Sequence, residues 1–118
     1  MASERTWMPM YWRDYGGDTG HLNVSEHGAY LLLIKHYWLT GKPLKDDDNL
    51  LWRITCCESK REWMRLRPAI VQFFTINAGV LSHKRIDAEL EKAARISAER
   101  RRVGVLGGRP RSVPRLVR

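Results

Sequence analysis

The 118-residue chain has room for one domain and a tail, and its five tryptophans supply enough apolar area to bury a core without disulfides or a metal. Its 21 Lys and Arg residues against 13 Asp and Glu give a net charge of +8, which points to polyanionic partners such as DNA, RNA or an acidic protein surface. The charge is lopsided: from Lys84 to Arg118 eleven basic residues face only Asp87, Glu89, Glu91 and Glu99, a balance of +7 of the +8. The two cysteines are the neighbours Cys56 and Cys57, a pair that rarely closes a disulfide, so a reducing compartment is expected. Met1–Arg13 has no apolar signal-peptide core, and the longest apolar run, Ala29–Ile34, is far too short for a membrane span. A soluble, cytoplasmic protein with no membrane partner is the expectation.

In chain order, residues 7–20 open with Trp7-Met-Pro-Met-Tyr-Trp-Arg-Asp-Tyr15, read as an extended aromatic segment, and pass into a turn at Gly16, Gly17, Asp18 and Gly20. Asn23-Val-Ser-Glu26 has capping-box spacing and predicts a helix to about Leu39, closed by Gly41 and Pro43. Its Tyr30, Leu33, Ile34 and Tyr37 share a face, widened by Leu31 and Trp38, so this helix belongs at the centre of the fold.

Asp46-Asp47-Asp48 predicts the cap of a short helix ending near Cys57. Ser59-Lys-Arg-Glu62 opens the next, with Trp63, Leu66, Ile70 and Phe74 as its core row and Pro68 expected to kink or split it. Phe73–Ile76 and Val80–Lys84 flank Asn77-Ala78-Gly79 as a hairpin. A helix from Ile86 to about Arg102 follows, then a flexible arm with glycines, prolines and arginines.

The fold class expected is mostly α with a small β-hairpin: a winged helix-turn-helix-like core, a C-terminal helix and a basic arm. The boundaries are 1–86 for the winged-helix-like domain, 87–102 for the helix and 103–118 for the arm.

The stretch MPMYWRDYGGDTGHLNVSEHGAYLLLIKHYWLTGKPLKDDDNLLWRI resembles the YdaU-like family of phage and prophage domains of unknown function. Glu62-Trp63, Arg67-Pro68, Phe73-Phe74 and His83-Lys84-Arg85-Ile86-Asp87 match family positions as well, so the resemblance covers roughly residues 7–102. It implies a winged-helix-like domain of the kind found at the N-terminus of replication or replisome-organiser-like proteins, and no particular activity. Relatives continue into a longer C-terminal region.

The nucleic-acid candidates fall in three groups. On the third helix, Arg61, Arg65 and Gln72 lie about half a turn from the core row, with Lys60 and Met64 at the flank. Arg and Gln suit guanine and adenine edges in a major groove, and Glu58 and Glu62 nearby count against such contact. The alternative is a merely solvated helix face. Lys84 and Arg85, with His83, are expected near the end of the wing as phosphate contacts, or as a polar strand end.

Arg100, Arg101 and Arg102 then extend a basic stripe into Arg109 and Arg111. Gly107-Gly108-Arg109-Pro110-Arg111 has a Gly-Arg-Pro core like that of AT-hook segments, although it lacks the preceding basic residue. Trp7, Tyr11, Trp12 and Tyr15 fit either a lid on the core or a stacking surface for unpaired bases, the lid being favoured.

Catalysis finds no support. The four histidines are scattered, Cys56-Cys57 lacks metal spacing, capping accounts for the Asp46–Asp48 triplet, and no phosphate-cradling or nucleophile motif occurs. No enzyme activity, metal or cofactor is expected. A nucleic-acid-binding accessory protein of phage replication or regulation, with duplex DNA favoured, is the leading expectation. A module that docks on a replisome component or host factor is the alternative.

Overall fold

The computed structural model describes residues 6–107. In order these form α1 (Trp12–Thr19), α2 (Val24–Thr40), β1 (Leu44–Lys45), α3 (Asp48–Ile54), α4 (Lys60–Val71), β2 (Thr75–Asn77), β3 (Val80–Ser82) and α5 (Lys84–Gly107). The fold is mostly helical with a small antiparallel sheet.

Helix α2 is the axis of the core. Asn23 Oδ1 accepts from the Glu26 amide at 2.8 Å and the Asn23 amide donates to Glu26 Oε1 at 2.9 Å, completing the box that starts the helix. Gly41, at φ +73°, ends it by donating to the Tyr37 carbonyl. Between them Ala29, Tyr30, Leu33, Ile34, Tyr37 and Trp38 are buried, and α3, α4 and α5 all pack against this helix.

Asp47 caps α3, its Oδ1 accepting from the Asn49 amide at 3.0 Å. Helix α4 starts at Ser59, whose Oγ accepts from the Glu62 amide, while Glu62 Oε1 accepts from Glu58 N–H and not from the Ser59 N–H a full capping box requires. Trp63, Leu66, Ile70 and, beyond the helix, Phe74 are buried as the spacing predicts.

Pro68 does not split α4. The Met64 carbonyl loses its intrahelical donor there, but Met64 and Pro68 both lie on the exposed side, where the lost bond leaves no buried polar group.

The hairpin turns on Ala78 and Gly79 with φ of +55° and +75°, the two-residue turn whose twist suits paired strands. Strand β1 adds a third member to give the order β1-β3-β2, all antiparallel, with Leu44 opposite Leu81 and Ile76 opposite the same residue. A two-residue strand carries no periodic signal, so β1 was not foreseen.

Residues 12–19 correct the expected extended segment and turn: they are helical, with Gly16 and Gly17 inside the helix. The anchor is tertiary. Tyr15 stacks on Tyr30 at 6.1 Å, its hydroxyl lies 2.7 Å from His27 Nδ1, and its carbonyl accepts from the buried Thr19 hydroxyl.

Neither glycine meets a neighbour where a Cβ would stand. Gly16→Ala/Gly17→Ala should therefore stabilise the domain by about 1–2 kcal/mol in urea denaturation. A loss of stability would show that the segment needs glycine's freedom.

The expected aromatic lid is also corrected. Trp7, Trp12 and Tyr11 are 71%, 67% and 46% exposed, and of the four only Tyr15 packs on the core. Once α1 is helical, Tyr15 points inward and Trp12 merely touches its edge, at 5.9 Å.

Finally, α5 begins at Lys84 and runs to Gly107, so it starts ahead of the expected Ile86 and includes the first five residues assigned to the arm. Ile86 is buried and Leu90 and Ala93 pack beside it, but Ile96 and Val103 are exposed. No helix among the described residues is long and apolar enough to cross a membrane.

Candidate nucleic-acid interface

Helix α4 has two faces. Trp63, Leu66 and Ile70 face the core, and Lys60, Arg61, Met64, Arg65, Pro68 and Gln72 are exposed. The inward face is locked by more than apolar contact. Trp63 Nε1 donates to Asp48 Oδ1 at 2.8 Å, and Arg67 Nη1 donates to both Asp46 Oδ1 and Asp48 Oδ1 at 2.8 Å.

The Asp46 hydrogen bond does most to raise the Arg67 pKa above its ordinary value; burial opposes it, and the Asp48 and Asp46 charges add to the rise. The acid triplet thus caps α3 through Asp47 and clamps α4 through its other two members. An acid triplet already holding a guanidinium has no need of a cation.

On the outward face, no ion pair among the described residues involves Lys60, Arg61 or Arg65. Of the two acids nearest them in the chain, Glu62 is half-buried and turned back to the Glu58 amide at 2.7 Å, and Glu58 is exposed without an ion pair to any of the three. Three cations stay open to solvent around Met64. Gln72 differs: its Nε2 donates to the Ala69 carbonyl at 2.7 Å and lies 3.2 Å from His21 Nε2, so its amide is committed to the helix end.

The other candidates do not join this face as one patch. The hairpin from Thr75 to Ser82 carries no charged residue, and Lys84 and Arg85 belong to the first turn of α5, which corrects the expected basic wing. Arg85 is engaged: its Nη1 lies 3.2 Å from Asp14 Oδ2 and its guanidinium sits 5.5 Å from the Tyr11 ring centre. Lys84 is exposed on the rim of a cleft of about 640 Å³ that Tyr11, Tyr15, Tyr30, Phe73 and His83 also line.

Arg100 lies sixteen residues beyond Lys84, or about 24 Å along the helix. It is exposed, Arg101 donates to Ser97 Oγ, and Arg102 pairs with Glu99. Arg109 and Arg111, with the AT-hook-like stretch, lie outside the described residues.

Besides Tyr15, which burial also raises, three titratable groups around the cleft and behind it depart from ordinary values. Burial, the largest cause in each, pushes Tyr30 and Tyr37 up to about 12 and pulls His83 down. All three are held in hydrogen bonds within the core, and among the described residues no group of His, Cys, Asp or Glu could hold a metal ion.

Sequence reasoning did not foresee the Arg67 clamp. The nearest signal was the i, i+4 spacing of Trp63 and Arg67 after an acid triplet.

The model of a family described as a protein of unknown function, DUF1376, matches residues 6–91. The chain belongs to this family. Its DUF1376 span runs from the segment before α1 through the docked first turns of α5, and so takes in α4, the sheet and the Arg67 clamp but not Arg100–Arg102. The chain is similar to the uncharacterized protein YdaU of Escherichia coli (strain K12), with 42% identity over 84 residues. That alignment covers 71% of this chain and 28% of YdaU, so the chain spans less than a third of that relative's length. No solved structure matches.

Proposed function

We propose that this DUF1376 domain is a winged helix that binds duplex DNA as an accessory protein of phage or prophage replication or regulation, in the cytoplasm and without catalysis. Helix α3 and helix α4 form the helix-turn-helix, and β2–β3 is the wing. The element order α2–β1–α3–α4–β2–β3 and the sheet order β1-β3-β2 favour this reading.

The observation that carries it is the open face of α4: Lys60, Arg61 and Arg65 exposed without a carboxylate partner, on a helix clamped from behind by Asp48. Lys84 and the arginines of distal α5, continuing into Arg109 and Arg111, add phosphate contacts that do not read sequence.

Exposed Trp7 and Trp12 favour a second reading, in which the domain docks on a replisome component or host factor through its aromatic N-terminus. Fluorescence anisotropy with labelled duplex, across a salt series, separates the two. Neutralising three phosphates from α4 alone gives log affinity against log salt a slope of roughly −3. Absence of duplex binding at low salt, or binding indifferent to salt, would contradict the DNA reading.

A further inference from the structure

We infer that His83 is a pH-sensitive joint that caps the first turn of α5 while its imidazole is neutral and loosens that turn when it takes up a proton. The inference stands independently of any nucleic-acid role.

His83 occupies the N-cap of α5. Its carbonyl accepts the first intrahelical bond, from Asp87 N–H at 2.9 Å, and its side-chain Nδ1 accepts from Ile86 N–H at 3.3 Å. A ring nitrogen that accepts carries no hydrogen, so the neutral ring bears its proton on Nε2, which donates to Tyr30 Oη at 2.8 Å. The His83 backbone N–H donates to Tyr37 Oη at 3.0 Å, and Tyr37 in turn donates to Asp87. One residue therefore holds the start of α5 to two tyrosines of α2.

Protonation puts a hydrogen on Nδ1 that faces the Ile86 N–H, donor against donor. It also places a positive charge at the positive end of a 24-residue helix. Two aromatic rings flank it: Phe74 meets it edge-on at 5.3 Å and Tyr30 lies 6.1 Å away at a tilt.

The groups that bear on it come from three elements. Tyr30 and Tyr37 face it from α2; Asp87 on α5 favours its cation and Arg85 on α5 opposes it; Lys84 adjoins it in the chain. From α1, Tyr15 and Asp18 act on Tyr30, and Asp14 holds Arg85. Burial is the largest effect and draws the His83 pKa below 6.5.

The unfolded chain then takes up this proton before the folded one does. The joint contributes fully above about pH 6.5, the ordinary histidine value, and is lost as pH falls through the lower folded value.

The test is amide hydrogen exchange by NMR on the full chain from pH 7.5 to 4.5, corrected for intrinsic rates, with the His83 ring followed in the same samples. The expected result is an Ile86 protection that falls about fivefold, the equivalent of one helix cap, with the midpoint of the His83 titration and with no matching fall at Leu33 or Ile70. His83→Asn, which caps without titrating in this range, should keep Ile86 protected throughout. Unchanged Ile86 protection across the ring's titration, the same pH-dependent loss in His83→Asn, or a ring still neutral at pH 4.5 would each overturn the inference.

Discussion

Trp63→Ala should cost about 3–5 kcal/mol of unfolding free energy, the cost expected for truncating a fully buried aromatic side chain. Trp63 fills the space between α4 and the rest of the core, and its indole N–H satisfies Asp48 at 2.8 Å. Truncation opens a cavity and also leaves that carboxylate with Arg67 alone. Domains of this size are stable by about 5–15 kcal/mol, so a single change here consumes much of the margin.

Circular dichroism in urea is the appropriate measurement, because four other tryptophans would confuse fluorescence. Trp63→Phe restores most of the volume but not the donor, so it should recover the larger part of the loss. A cost below about 1 kcal/mol for Trp63→Ala would mean that α4 is not seated as described.

Arg61→Ala/Arg65→Ala should weaken duplex binding by about 10- to 100-fold at low salt while leaving the urea midpoint nearly unchanged. Both side chains are exposed and touch no described carboxylate, so their removal changes stability by no more than about 0.5 kcal/mol. If the two arginines bind phosphate only, the loss is uniform across sequences and the salt slope falls by about 2; if they reach base edges, discrimination between sequences falls as well.

Gln72→Ala is the useful contrast. Its amide already donates to Ala69 and lies against His21, so its removal should affect binding far less than loss of either arginine.

Much of this arrangement was legible before the structure. The Asn23 box, the Trp63–Leu66–Ile70–Phe74 row and the break at Asn77-Ala78-Gly79 are local signals, and each produced the element it announced, although Asn77 itself belongs to β2. The opposition of Arg61 and Arg65 to that core row follows from helical spacing alone.

What was not legible depends on contacts distant in sequence. Helix α1 forms across Gly16 and Gly17 because Tyr15 finds Tyr30 and His27, against the local preference of the stretch. Arg85, an apparent phosphate ligand, is drawn to Asp14, 71 residues earlier, and Arg67 to Asp46 and Asp48 across about twenty. Charge counts do not reveal which cations are already paired. The start of α5 moved because a histidine serves as its cap, a role that composition does not announce.

The most direct test of the central claim is a ¹⁵N-NMR titration of the intact chain with a short duplex at low salt. The amides of Lys60, Arg61, Met64 and Arg65 and the side chains of the two arginines should shift first, together and saturably. Shifts confined to Trp7–Trp12, or to residues beyond Arg102 with α4 silent, would contradict it.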